Sequence, residues 1–504
     1  MKRVFCFLTF DFYIFNLLFI LLSLATFSSL PFTLVYAQSG WGPDTQLVYM
    51  RGIGWDPRAV CWGDTIHLVW WQNAAFLGDE IFYKRSTDCG LTWGPDILLS
   101  LQNDDASVMP TVGVNGNFVH VVWKDEHAGV CYRKSNDGGD TWLPIDTLPN
   151  AGLIEPWILV DGYNLYVIAG FGTGDILFTK STDNGNTWQP GQPVTHSCGA
   201  GRIKKLASSI LLISHQDDSL GSWEIFLLKS TNDGNSWDNV YLVSEDDSWS
   251  GQRPAMDIDD SAGIHICWFD YKYSPYPWTG DIFYRAGRDS GNTWEDIDSL
   301  TIMHRAVLSD IIVEGNNLHL VWEDDRNSFD NNSEIYYRMS TDLGRTWQPE
   351  IRLTNAPKYS RCPSLACGGG YLHLFWQDAR DSLVSWPIYY KRKDLSWGVS
   401  ETRSNYVPFP LAIDVCPNPF TERIKVRCKI NRKDGDSSEK SVVSVRMLDV
   451  SGKEVFLERK KRNRETWRHG ETVIIDTKDL PCGVYFVEVR AGVESGIKKV
   501  IKVK

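Results

Sequence analysis

Ser86-Thr87-Asp88-Cys89-Gly90-Leu91-Thr92-Trp93 decides the fold, because it recurs. The same eight-residue pattern runs from Ser135 to Trp142, from Ser181 to Trp188 and from Ser340 to Trp347. Asn232 replaces the Asp in the copy from Ser230 to Trp237, and Gly287 replaces the Ser in the copy ending at Trp294. A seventh copy is eroded to Lys393-Asp394-Leu395-Ser396-Trp397. The Trp residues 93, 142, 188, 237, 294, 347 and 397 follow one another at intervals of 49, 46, 49, 57, 53 and 50 residues. A fixed period near 50 marks a propeller or a solenoid.

The residues around each copy supply the blade. A β-branched and aromatic run precedes it, as in Glu80-Ile81-Phe82-Tyr83 and Glu334-Ile335-Tyr336-Tyr337. Before that comes an alternating strand ending in Trp, as in Ile66 to Trp70, Val119 to Trp123, Ile264 to Trp268, Leu318 to Trp322 and Leu372 to Trp376. Leu165 to Ala169 and Ile210 to Ser214 lack that Trp. With a short strand before and another after, each period gives four antiparallel strands, which is a propeller blade. The repeated element is then a tight turn between the third and fourth strands. Its Asp accepts bonds from the turn's own N–H groups, its Gly supplies a positive φ, and its Trp anchors the turn. Six copies of one turn position cannot all be catalytic. Asp88, Asp137, Asp183, Asn232, Asp289 and Asp342 are therefore expected to be structural.

The pattern resembles the Asp-box, or BNR repeat, of sialidases and related propellers, over about residues 38–400. The expected architecture is all-β: a seven-bladed propeller, or alternatively a six-bladed one as in true sialidases. Trp41-Gly42-Pro43-Asp44 matches the segment after a box, Trp93-Gly94-Pro95-Asp96, so it is expected to close the ring and remove the exposed edges.

The 504 residues carry a net charge of −12, unevenly spread. Residues 406–504 hold 21 Lys and Arg against 14 Asp and Glu, and the preceding 405 hold 30 against 49. An acidic body argues against nucleic acid as a partner. Lys2 and Arg3, an apolar stretch, and Val35-Tyr36-Ala37 read as a signal peptide cleaved after Ala37, with an uncleaved membrane anchor as the alternative. Ten cysteines remain after Cys6, and their spacings match no zinc signature. They are expected to be buried small hydrophobes or to form unassigned disulfides.

Pro408, Pro410, Pro417 and Pro419 mark a linker into a tail of alternating strands. Pro417-Asn418-Pro419-Phe420, Asp449-Val450-Ser451-Gly452-Lys453, Gly483-Val484-Tyr485-Phe486 and the basic end are similar to the C-terminal sorting domain of the type IX secretion system. That resemblance implies an immunoglobulin-like β-sandwich over residues 406–504, a partner in the secretion machinery, and release to the medium or the outer-membrane cell surface.

One face of the ring gathers the loops between strands two and three and between blades. Arg58, Arg253, Arg305 and Arg361 start first strands there, and Asp125, Asp270, Asp324 and Asp378 follow second strands. An insertion carrying Tyr271, Tyr273, Tyr276 and Trp278 rises from the same face, and Trp223 and Trp386 occupy matching loops. Aromatic platforms with arginines suit a sugar carrying a carboxylate. The resemblance to sialidases implies an arginine triad, an Asp acid/base and a Tyr nucleophile assisted by Glu. Arg361-Cys362-Pro363 with Asp378-Ala379-Arg380 resembles the sialidase pair of motifs, though in the last blade. Arg361, Asp378, Arg253, Arg305 and Arg58 are the candidate catalytic set. The alternative is that these Arg and Asp residues simply pair between blades. His67, His120, His265, His319 and His373 share one repeated slot and read as packing residues. Asp257, Asp259 and Asp260 only faintly suggest a calcium loop, so no metal or cofactor is expected. The expectation is an exported monomer that binds a glycan or an extracellular protein. An exo-α-sialidase and a structural propeller are the alternatives.

Overall fold

The computed structural model describes residues 40–395 except 49–51, 75–77, 102–104, 153, 171–173, 196–197, 238, 275–279, 327–331 and 381–385, together with strand segments between 412 and 502. The signal segment, Tyr276, Trp278 and Trp397 lie outside the described residues. The chain divides into two compact units, Met1–Val399 and Ser400–Lys504.

Unit 1 is a seven-bladed propeller. The innermost strands of its blades are Gly52–Trp62, Ser107–Asn115, Ile154–Asp161, Cys198–Ala207, Gly251–Ile258, Ala306–Glu314 and Ser360–Gly368. Each pairs outward with two further antiparallel strands and a short fourth. The ring closes as its sequence suggests. Thr45–Gln46 pairs with Ile388–Asp394 as the outer strand of blade 7. The Gly42 amide donates to the Arg392 carbonyl and the Gly94 amide to the Arg85 carbonyl, each at 2.8 Å. Asp44 receives Lys391 at 2.7 Å, and Asp96 receives Lys84 at 2.8 Å. Asp44 also meets Arg380 at 2.7 Å.

Seven apolar clusters fill the seven wedges between blades. Trp70, Trp123, Trp268, Trp322 and Trp376, which end second strands, are fully buried in them. Burying one such large side chain stabilises by about 1.5–3 kcal/mol.

The repeated turn works as its residue types suggest. In blade 2 the Thr141 amide and hydroxyl donate to Asp137, and the Ser135 hydroxyl donates to it as well. These bonds hold the Asp137 carboxyl down at about 2. The turn Gly has a second job besides its φ of 95° at Gly139. The Tyr83 hydroxyl of the preceding blade packs where a Cβ would stand. Tyr132 does the same at Gly185, Tyr284 at Gly344 and Tyr390 at Gly90. Each of these tyrosines also meets the Trp of the same turn edge-on, as Tyr83 meets Trp142 at 4.9 Å. At the seam Trp41 takes that Trp's place against Tyr337, at 5.4 Å.

The faint calcium loop is a hairpin turn. Asp259 accepts from the Ser261 and Gly263 amides and contacts His265 Nε2 at 3.0 Å. Among the described residues no cluster of His, Cys, Asp and Glu could hold a metal. Cys61, Cys89, Cys131, Cys267, Cys362 and Cys367 are free thiols.

In unit 2, Ala412–Cys416, Arg423–Lys429 and Glu471–Asp476 form one antiparallel sheet. Val442–Asp449, Glu454–Lys461, Gly483–Ala491 and Glu494–Lys502 form another.

Candidate functional site

Every innermost strand carries a register shift near its start. Six of the seven hold a non-glycine residue at positive φ: Asp56 (47°), Met109 (56°), Glu155 (45°), Arg253 (50°), Leu308 (50°) and Cys362 (50°). All but Leu308 are followed by proline, and a residue before proline favours extended backbone. Each such conformation costs on the order of 1–3 kcal/mol. A bulge re-aims the side chains that follow it. Here the residues after these prolines include Arg58, Thr111, Trp157 and Ser364, which line the central channel.

The channel holds a cavity of about 270 Å³, with Lys204, Asp257 and Asp310 in its wall. Lys204 meets Asp257 at 2.7 Å. Burial pushes the Asp310 carboxyl up, against the pull of Arg58, Arg202 and Lys204. At one mouth a second cavity is lined by Asp56, Arg58, Glu155, Trp157, Arg202 and Arg253, among others. The Arg202 guanidinium lies 4.0 Å from the Trp157 ring centre and the Arg58 guanidinium 5.7 Å from it. Burial, then the charge of Arg58, pushes Arg202 down to about 10. Arg58 donates weakly to the Pro57 carbonyl and Arg202 to the Gly201 carbonyl. Among the described residues neither forms a salt bridge, whereas Arg253 meets Glu155 at 3.4 Å.

The structure therefore brings together Arg58 and Arg253 and adds Arg202. It separates the other candidates. Arg305 pairs with Asp325 at 3.4 Å. Arg361 sets its Nε 3.2 Å from Glu323 and lies over the Tyr359 ring at 4.1 Å. Burial raises the Glu323 carboxyl to about 7, with Arg361 opposing. Asp378 is buried and fully engaged by Trp376, Ser360 and Arg380. Asp324 is held in the same way by Trp322 and Arg326. Pairing does occur, but each of these Asp residues takes the Arg two positions later rather than the first-strand Arg. The Arg side chain folds back from the turn onto its own strand end.

Trp386 joins a group of rings on this face: it lies 5.4 Å from Trp55 and 5.7 Å from Tyr359, and Trp55 stacks on Trp71 at 5.6 Å. Trp223 occupies the equivalent loop, where its carbonyl accepts from the Gly251 amide at 2.7 Å, as the Trp386 carbonyl does from the Gly54 amide at 2.9 Å. Tyr271 packs edge-on against Phe269, and Tyr273 is exposed beneath Lys272.

Arg202 and Trp157 escape a reading built on the repeats, because blades 3 and 4 depart from the common pattern. Glu155-Pro156-Trp157 repeats the residue-Pro-residue order of Asp56-Pro57-Arg58, and that signal could have found Trp157. Arg202 follows Ala200-Gly201, without proline, and only the fold aligns it.

The arrangement defines a seven-bladed propeller with a cationic, aromatic mouth. Residues 414–504 match the secretion system C-terminal sorting domain, so this is a secreted propeller protein carrying a type IX secretion tail. Among curated proteins none matches the chain. In fold it resembles the polysaccharide lyase Uly1, with a TM-score of 0.50 and 9% identity over 70% of this chain and 99% of that one. A protein of unknown function from Dyadobacter fermentans has a TM-score of 0.47 and 13% identity over 71% of this chain and 99% of that one. A polysaccharide lyase described as an ulvan lyase has a TM-score of 0.48 and 11% identity over 69% and 95%.

Proposed function

We propose that this secreted propeller binds an acidic glycan at the mouth of its central channel. The observation that carries the reading is the pair Arg58 and Arg202, set around Trp157 without a salt bridge to either among the described residues. A guanidinium that no carboxylate locks into a salt bridge can take a sugar carboxylate or sulfate bidentately, and an indole can take a pyranose face. The strained bulges that aim Arg58 and Trp157 agree with a functional mouth, since such strain gathers at functional sites. The fold also carries polysaccharide chemistry in Uly1.

A glycan array of uronate, sialate, sulfated and neutral sugars tests the reading. Binding confined to the acidic members, and lost in Arg202→Ala, supports it. Equal binding to neutral members, or an unaffected variant, overturns it.

A second reading, hydrolysis of exo-α-sialidase type, is favoured by the contact group Tyr359, Arg361 and Glu323. Turnover of a fluorogenic sialoside that Tyr359→Phe and Glu323→Gln both abolish would establish it. We also read residues 1–37 as a signal peptide, 38–405 as an Asp-box propeller and 406–504 as an immunoglobulin-like sandwich. The two sheets of the tail support the last of these.

A further inference from the structure

Four rings crowd one sector of the mouth face, where blades 7 and 1 meet. Trp55 and Trp71 face each other across the first two strands of blade 1, nearly parallel at 11°. Trp386 and Tyr359 come from blade 7, on loops beside its strands. The Trp71 Nε1–H donates to Asp56 at 3.3 Å, which fixes the orientation of that ring. Asp56 also lines the cationic mouth, so rings and mouth are continuous.

These rings differ from the other aromatic contacts of the propeller. The Tyr–Trp pairs at the repeated turns are wedged between blades and meet edge-on. The blade 7–blade 1 rings are only half-buried, and they include a stacked pair and two tilted ones. A single half-exposed Trp is ordinary, but a contiguous group of partly exposed rings marks a contact surface. Arg361 stands over two of the rings, Tyr359 at 4.1 Å and Trp386 at 5.9 Å. Its Nε reaches Glu323 and Ser333. Its two terminal nitrogens make no hydrogen bond among the described residues. A planar cation beside ring faces offers what a charged sugar unit needs: an apolar face to stack on and a donor fork for its acid group.

We infer that this aromatic shelf is a second sugar subsite, and that the ligand is an acidic polysaccharide rather than a single acidic sugar. One unit places its acid group at Arg58 and Arg202. A neighbouring unit stacks on Trp386 and Trp55 and meets Arg361. This rests on the reading of the mouth as an acidic-glycan site and adds the length of the ligand to it.

The test uses the mature full chain and a panel of uronate-bearing and sulfated polysaccharides, each compared with its own constituent monosaccharides carrying the same carboxylate or sulfate, by titration calorimetry. The wild type is expected to bind at least one polymer about tenfold or more tighter than its monosaccharides, the scale of one added stacking contact. Trp386→Ala and Trp55→Ala are expected to remove most of that difference. Trp386→Phe keeps a ring and should keep most of the difference, which separates loss of stacking from loss of fold. Polymer binding unchanged in both Ala variants but lost in Arg202→Ala overturns the shelf and keeps the mouth. Binding that Arg202→Ala leaves intact, or no binding to any acidic polymer, overturns the mouth reading and the shelf with it.

Discussion

The Nδ1 atom of His319 lies 2.8 Å from the hydroxyl of Tyr337, inside blade 6. The same contact recurs between His67 and Tyr83, His120 and Tyr132, His265 and Tyr284, and His373 and Tyr390, at 2.6–2.9 Å. Tyr83, Tyr132, Tyr284 and Tyr390 are the side chains that dock on the repeated turns, and Tyr337 packs on Trp41, so each histidine fixes a ring on which the next blade rests. Repetition of the His slot thus has a packing cause.

These histidines make the propeller acid-sensitive. Burial lowers His67, His120 and His373 to about 4 and His319 to about 3. A folded value below the unfolded one, about 6.5, means that the unfolded chain binds more protons. The histidine contribution is therefore complete above about pH 6.5 and is lost as pH falls toward about 4. Chemical denaturation between pH 8 and 4 should show stability falling through that window. Tyr337→Phe should cost about 1 kcal/mol at neutral pH, by removing one buried hydrogen bond.

Glu323 works in the opposite direction. Its folded value of about 7 lies above the ordinary carboxyl value. Its contribution is fully present below about pH 4.5 and is lost as pH rises through about 7. Glu323→Gln should therefore gain stability relative to the wild type as pH climbs from 5 to 8. A difference that is flat with pH would contradict the burial of this carboxyl.

Glycines separate conformational strain from packing. Gly139→Ala forces a left-handed alanine and places its Cβ against the Tyr83 hydroxyl. It should cost about 2–4 kcal/mol, the sum of backbone strain and overpacking. Gly162→Ala has a φ of 61° and open space around it. It should cost only about 1 kcal/mol. Thermal unfolding of the two variants checks the difference.

The closure of blade 7 by the segment that opens the propeller depends on Asp44. Its carboxylate holds Arg380 and Lys391, each at 2.7 Å, and is partly exposed. Asp44→Ala should cost about 1 kcal/mol, after allowance for solvent screening. It should also make the segment before residue 49 the first site of limited proteolysis. Asp96→Ala, which breaks the equivalent pair within blade 1, should leave that segment protected.

Much of the propeller was legible in the chain because it is written seven times. A turn that needs Ser, Asp, Gly, Thr and Trp at set places imposes those residues locally, and a local requirement shows in any one copy. Even the ring closure was readable, since Trp41-Gly42-Pro43-Asp44 copies the residues that follow a box. The mouth was only half legible. Arg58 and Arg253 stood out by position, but Arg202 and Trp157 belong to blades whose sequences depart from the repeat. Asp378 looked as available as any other repeated Asp until its partners Trp376, Ser360 and Arg380 were in place. Local turn chemistry depends on neighbours in sequence, so the sequence determined the blades and their order, while the choice of seven over six came from the closed ring. The meeting of Arg58, Arg202 and Trp157, and of Trp55 with Trp386, joins residues from about 45 to over 330 positions apart in the chain. Only closure of the ring, driven by burial of the wedges between blades, decides which of them share one mouth.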